Sequence, residues 1–298
     1  MKVFKFKKID AFAVENSSGN PAGAIYLNSL EDITISEMQR IAKELKGFVN
    51  EVGYLCQLDK DFFNLKYYSS EREVDFCGHA TIAIMYDLIK NRDDLFLKDV
   101  IYINTSKGKL SVLNRIDSED AVFISAPKPI FTDKIIPTLE IAKALHIDCK
   151  IINENNPISI VNAGLETLIL PIKGLDDLLS IAPDLETLKE FCMNHSIDII
   201  EVYTEETSNE KSSFRTRVFA PTFGYLEDPA TGSGNAAFGY YLYKKMNYKG
   251  ATITIEQNSF LHNANIVKLE FTKDKNNEIH VLFGGSGIVR INGEYYLK

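Results

Sequence analysis

The 298-residue sequence is short of the features that mark several large classes of protein. Its four cysteines stand at 56, 77, 149 and 192 with no close pair, which fits neither a zinc ribbon nor a disulfide framework and predicts reduced thiols. The five histidines (79, 146, 195, 262 and 280) show no metal-ligand spacing, so no metal is expected. No apolar run approaches membrane-spanning length, and Met1–Lys7 alternates like a strand without the apolar core of a signal peptide. A cytoplasmic protein with no membrane partner is the expectation. Positive charge is in deficit too. At a formal net charge of −8 the chain offers no basic face for nucleic acid or anionic lipid. A small anionic substrate is still admissible, because a local cluster of N–H groups can hold one.

What is present is an ordinary globular composition, 45% hydrophobic and 25% charged, on a chain long enough for two domains. The stretch Glu227-Asp228-Pro229-Ala230-Thr231-Gly232-Ser233-Gly234-Asn235 stops a loop at Pro229 and launches a helix through small residues. Thr231 or Ser233 can cap that helix, while Gly232 and Gly234 admit a close approach to the backbone. Such a start leaves N–H groups open at the positive end of the helix dipole, a ready site for carboxylate or phosphate. Asp75-Phe76-Cys77-Gly78-His79-Ala80-Thr81 has the same design. Tyr67-Tyr68-Ser69-Ser70 precedes it much as Phe219-Ala220-Pro221-Thr222 precedes the other. Two such openings suggest a unit of antiparallel strands round a central helix, made twice, with one anion held between the halves. Ser36 is expected to cap a helix over 36–46, a strand is expected over 48–56, and Ala126-Pro127-Lys128-Pro129 is the best linker.

Several familiar chemistries fail. Thr231-Gly232-Ser233-Gly234 lacks the lysine of a phosphate-binding loop and the spacing of a dinucleotide fingerprint. It also misses the glycine that opens a nucleophile elbow. What survives is a set of fixed donors near Gly78, His79, Gly232 and Ser233 with three titratable groups, Glu51, His79 and Asp228. Donors of that kind stabilise negative charge growing on a bound acid, and a carboxylate in an apolar strand suits a proton carrier. The combination describes proton abstraction beside an acid: an isomerase, epimerase or racemase. Cys77 is either an activated thiol or an inert buried one. Asn20 either braces its own turn or contacts substrate.

At these residues the chain resembles the PhzF family of phenazine biosynthesis-like isomerases, on the diaminopimelate epimerase fold. The resemblance rests on Asp10-Ala11-Phe12 with Gly19-Asn20-Pro21, Asn50-Glu51, Glu73 through Thr81, Arg217 through Pro221, Glu227 through Gly234, and Gly284-Gly285. It implies an α+β protein of two pseudo-symmetric domains, each a mostly antiparallel β-barrel wrapped around a central helix, with the active site in the cleft. The domains would be 1–125, to which 287–298 returns, and 126–286. By the resemblance Glu51 is the proton carrier and His79 and Asp228 its helpers. Asn20, Cys77, Gly78, Gly232 and Ser233 fall to the substrate. The protein would be a homodimer without a cofactor. Asn50-Glu51-Val52 departs from the family's usual Ser-Glu-Thr, and Ser70-Glu71 replaces its Thr-Pro. Two alternatives stand beside this: a non-catalytic small-acid-binding protein on the same fold, and a Cys77-based racemase. Thr231 stands where a two-thiol epimerase would need its second cysteine.

Overall fold

Two helices in this chain are apolar on almost every side, and a helix of that kind is stable only when strands enclose it. In the computed structural model, which describes residues 1–298, both are enclosed in this way. The elements begin β1 (Lys2–Ala11), β2 (Asn20–Leu27), α1 (Ile35–Glu44), β3 (Glu51–Asp59), β4 (Phe62–Ser69) and β5 (Glu73–Val74). There follow α2 (Gly78–Lys90), α3 (Asp93–Phe96), β6 (Val100–Thr105), β7 (Gly108–Arg115), α4 (Ile116–Glu119) and β8 (Ala121–Ser125). Next come β9 (Ile130–Thr132), α5 (Thr138–Ala144), β10 (Ser159–Asn162), β11 (Glu166–Pro171), α6 (Leu175–Ser180) and α7 (Leu185–His195). The chain continues through β12 (Ile199–Thr204), β13 (Phe214–Phe219), β14 (Glu227–Asp228) and α8 (Gly232–Lys245). It closes with β15 (Thr252–Gln257), β16 (Asn265–Lys273), β17 (Ile279–Gly285) and β18 (Gly287–Leu297). It divides into two compact units, Met1–Ser125 with Gly284–Lys298, and Ala126–Phe283. No helix is long and apolar enough to cross a membrane.

In the first unit β1 pairs antiparallel with both β18 and β2, β2 runs parallel to β3, and β3 pairs antiparallel with β4. From β4 the sheet continues parallel to β6 and then antiparallel through β7 to β8. Every residue of α2 from Ala80 to Ile89 is buried, against β1, β2, β3, β8 and β18. The outer face of the same sheet is covered by α1. Because side chains alternate along a strand, Val52, Tyr54 and Cys56 of β3 pack outward with Met38 and Ile41 of α1. Glu51, Gly53 and Leu55 therefore face α2. Gly53 is required there: a Cβ on it would stand 2.2 Å from the Ile84 side chain of α2.

The second unit repeats the plan. β9, β10 and β11 are antiparallel, β11 is parallel to β12, and β12 is antiparallel to β13. β13 runs parallel to β15, which pairs antiparallel with β16. α8 takes the place of α2, and α5, α6 and α7 supply the outer layer over Ile200 and Val202. The register fixes residue equivalences. Gly53 lies opposite Tyr67 and Tyr67 opposite Val74, as Glu201 lies opposite Val218 and Val218 opposite Asp228. Gly53 thus corresponds to Glu201, Lys66 to Arg217, Glu73 to Glu227 and Cys77 to Thr231. Tyr68, not Tyr67, corresponds to Phe219, one residue off the match of the motif strings.

Two local expectations are corrected. Thr34, not Ser36, caps α1: its hydroxyl accepts the Glu37 N–H at 3.2 Å while the Glu37 carboxylate accepts the Thr34 N–H at 2.8 Å. This reciprocal box satisfies two orphan donors at once. β3 starts at Glu51, not 48, because Phe48 and Val49 donate their N–H groups to Leu45 O in the turn that ends α1.

Candidate active site

Glu51 is the first residue of β3, so the sheet delivers it to the mouth of the α2 enclosure with its side chain on the helix side. Its anchorage comes from the preceding residue. The Asn50 N–H donates to Pro21 O at 3.1 Å, and its side-chain amide donates to Asn20 Oδ1 at 2.9 Å. Asn20 is buried and serves as this brace beside Glu51. The amide at Asn50, where the resemblance would place a serine, is what makes the bond.

The start of α2 supplies the rest. Cys77 occupies the position before the helix in an extended conformation, and its side chain makes no capping bond. Thr81 reaches back to donate to Cys77 O at 2.7 Å, and its hydroxyl lies 2.5 Å from the buried Tyr67 hydroxyl. The tip is therefore held from inside. His79, in the first turn, brings Nε2 to 3.2 Å from Glu51 Oε2. Burial pushes His79 down to about 4, against a hydrogen bond with the Pro21 carbonyl that raises it. The imidazole is neutral at pH 7, so its 3.2 Å approach to Glu51 is not an ion pair. Cys77 Sγ lies 3.8 Å from Glu51 Oε2 and 3.4 Å from His79 Nδ1. Glu51, Cys77, Gly78, His79 and Asn20 are thus one constellation in the first unit.

Asp228, Gly232 and Ser233 belong to the tip of α8 in the second unit. Thr231 sits at the cap position without capping, contrary to expectation, and Ser233 lies within the first turn. The reason is Gln257: its Nε2 donates to Thr231 Oγ1 at 3.2 Å and to Asp228 O at 2.8 Å. Gln257 Oε1 in turn accepts the Thr231 N–H at 2.9 Å and the Asn235 amide at 2.7 Å. Asn235 also donates to Thr231 O at 2.7 Å, the same service Thr81 performs in α2. Burial pushes the Asp228 carboxyl up to about 7, opposed by hydrogen bonds from Thr231 and Ala230 and assisted by neighbouring Glu227. The room at Gly232 and Gly234 is used by the protein itself. A Cβ at Gly232 would meet the Phe283 ring at 2.4 Å, and one at Gly234 would meet Glu201 Oε2 at 2.9 Å.

The glutamates that open the two motifs are anchors. Glu227 takes Arg217 in a two-point pair (Nε to Oε1 3.0 Å, Nη2 to Oε2 2.9 Å), and Arg217 Nη1 donates to the carbonyls of Leu178, Leu179 and Ile181. Glu73 accepts from Tyr68 at 3.0 Å and meets Lys66 at 3.9 Å. Gln257, Asn235 and Tyr67 gave no sequence signal, since each acts through a partner fourteen or more positions away or through a bond inside the helix turn.

Residues 9–293 match the phenazine biosynthesis-like protein family, PhzC-PhzF. An uncharacterized isomerase of Clostridium acetobutylicum is 27% identical over 308 positions, with 100% of both chains covered. The crystal structure of a PhzF-family phenazine biosynthesis protein of Bacillus anthracis matches 100% of each chain with a TM-score of 0.88 and 25% identity. A hydroxyproline epimerase of Agrobacterium vitis, solved with trans-4-hydroxy-L-proline, covers 99% of this chain and 91% of its own at a TM-score of 0.57 and 10% identity. The architecture is the expected α+β, diaminopimelate epimerase-like fold.

Proposed function

The chain belongs to the phenazine biosynthesis-like family of isomerases, and from that premise we propose that it moves a proton within a small carboxylate-bearing substrate, with Glu51 as acid and base. The observation that carries this reading is the placement of Glu51 on the helix side of β3, beside the tip of α2, with Cys77 and His79 at 3.8 and 3.2 Å. N–H groups at Gly78 and His79 hold the substrate carboxylate and take up the charge that grows on it when Glu51 removes a proton from the neighbouring carbon. The same carboxyl returns the proton elsewhere in the conjugated system, so no redox step and no cofactor is invoked. Neutral His79 orients Glu51 without adding charge. For the second unit, Gly232 and Ser233 are proposed to present N–H groups to an acidic group, with Asp228 as a group able to hold a proton near neutral pH.

The test is solvent exchange. Candidate conjugated acids incubated in heavy water should gain deuterium at carbon with the wild type and not with Glu51→Gln. Equal incorporation in both removes Glu51 from the mechanism. The contact of Cys77 with His79 favours one second reading, a thiol-based racemase. It predicts the reverse pattern, with alkylation abolishing exchange and Glu51→Gln retaining it.

A further inference from the structure

Glu51, Cys77 and His79 present three different donor atoms, a carboxylate oxygen, a sulfur and an imidazole nitrogen, all within 4.8 Å of one another. The separations are 3.2 Å from Glu51 Oε2 to His79 Nε2, 3.8 Å from Cys77 Sγ to Glu51 Oε2, and 4.0 Å from Cys77 Sγ to His79 Nε2. Zinc bonds of about 2.0–2.1 Å to nitrogen and oxygen and about 2.3 Å to sulfur, at tetrahedral angles, place donors roughly 3.3–3.6 Å apart. The three separations differ from that triangle by up to about 0.5 Å, and because Cys77 Sγ lies nearer His79 Nδ1 (3.4 Å) than Nε2 (4.0 Å), the imidazole has to turn to aim Nε2 at a shared ion. We propose that Glu51, Cys77 and His79 form a three-ligand site for a zinc-class divalent ion, and that filling it switches off the proton transfer.

The donor set argues for the class of ion. A thiolate and an imidazole select zinc, or cobalt as its stand-in, over magnesium and calcium, which take oxygen. On binding, the Cys77 thiol gives its proton to solvent, and the ion takes the sulfur lone pair. The helix tip opposes a cation through its dipole; two anionic ligands, Glu51 and the Cys77 thiolate, outweigh that half-charge. Three protein ligands leave a fourth position open for water or a substrate carboxylate. The sequence hid the site because Glu51 lies 26 residues before Cys77 and no zinc motif has that spacing. Binding stands on the ligand geometry alone. Only its consequence, inhibition, rests on the proton-carrier role proposed for Glu51, since a carboxylate that shares its charge with a divalent ion is a much weaker base.

The experiment uses the full chain, stripped with chelator and titrated with Co²⁺. One equivalent should raise a thiolate-to-cobalt charge-transfer band in the near ultraviolet, which Zn²⁺ displaces and excess Mg²⁺ does not. Cys77→Ser should remove the band, and Cys77→Ser and His79→Gln should each weaken Zn²⁺ binding by more than about tenfold, the loss that even an outer-shell change causes. Asp274→Asn, in the exposed Asp274–Glu278–His280 cluster, should change neither. Absence of the band in the wild type, or a band that survives in Cys77→Ser, overturns the site. Deuterium exchange that proceeds at full rate in the zinc-loaded wild type overturns the switch. Exchange absent from the metal-free protein counts against the isomerase reading and leaves the site standing.

Discussion

Glu201 makes the sharpest prediction about stability. It lies on β12 with no exposed surface, and both carboxyl oxygens are buried without a hydrogen-bond partner. Burial raises it well above the ordinary glutamate value of about 4.5, so the folded protein holds it as the neutral acid. The sign follows from linkage. Below pH 4.5 both folded and unfolded chains are protonated there and the stability is complete. Above it the unfolded chain loses the proton while the folded chain keeps it, and stability falls by about 1.4 kcal/mol per pH unit for as long as the folded state stays protonated. Glu201→Gln has the same shape and does not titrate. Every other ionising group cancels in the comparison, so the difference between variant and wild type isolates this one residue. Between pH 5.5 and 6.5 that difference should move by about 1.4 kcal/mol in favour of the variant, a shift of about half a molar in the urea midpoint at roughly 3 kcal/mol/M. The sequence contains no tryptophan, so unfolding is followed by circular dichroism. Parallel midpoints for the two proteins across pH 5.5–7.5 would show that Glu201 is ionised or solvated in the fold and would refute the reasoning.

Four further substitutions follow from the packing. Gly232→Ala drives a methyl into the Phe283 ring, which is only 2% exposed and has nowhere to move; it should cost about 1–3 kcal/mol, read as a lower melting temperature that Phe283→Leu partly restores. Arg217→Met strands Glu227 and three backbone carbonyls, and should cost about 3 kcal/mol or more in chemical denaturation. Lys66→Met at the corresponding position removes only a half-buried 3.9 Å contact and should cost under about 1 kcal/mol; equal losses for the two would contradict the anchoring role of Arg217. Asn50→Ala frees Asn20 and the start of β3, so it should lower the exchange rate at saturating substrate while leaving the melting temperature within a few degrees.

The parts visible in the sequence were those written in consecutive residues. Ala80, Ile82, Ala83, Ile84 and Met85 make the first turns of a helix apolar enough to need enclosure, and the two small-residue helix openings announce the duplication before any coordinate is known. Glu51 stands out because it is a charge in an apolar strand. What stayed hidden depends on partners brought together by strand register. Gln257 meets Thr231 only after β13 aligns β15 beside it, and Asn20 meets Asn50 only once β2 lies along β3. The glycines at 232 and 234 were read correctly as places of close approach, but a sequence does not say who approaches. Here Phe283 and Glu201 do. Thr34 took the cap from Ser36: Glu37 completes its box, while Gln39, three residues after Ser36, donates instead to the Ser69 carbonyl.

The corresponding positions Gly53 and Glu201 show how a duplicated half diverges without losing its filling. At the first the strand gives way and Ile84 of the helix advances; at the second the strand advances and Gly234 of the helix retreats. By the same register Ile84 corresponds to Phe238 and Gly234 to Ala80, so the two halves fill the strand–helix seam from different turns of the helix. A chimera that copies only one side of that seam from one half into the other would leave either a void or a collision, so sequence change here has to travel in couples.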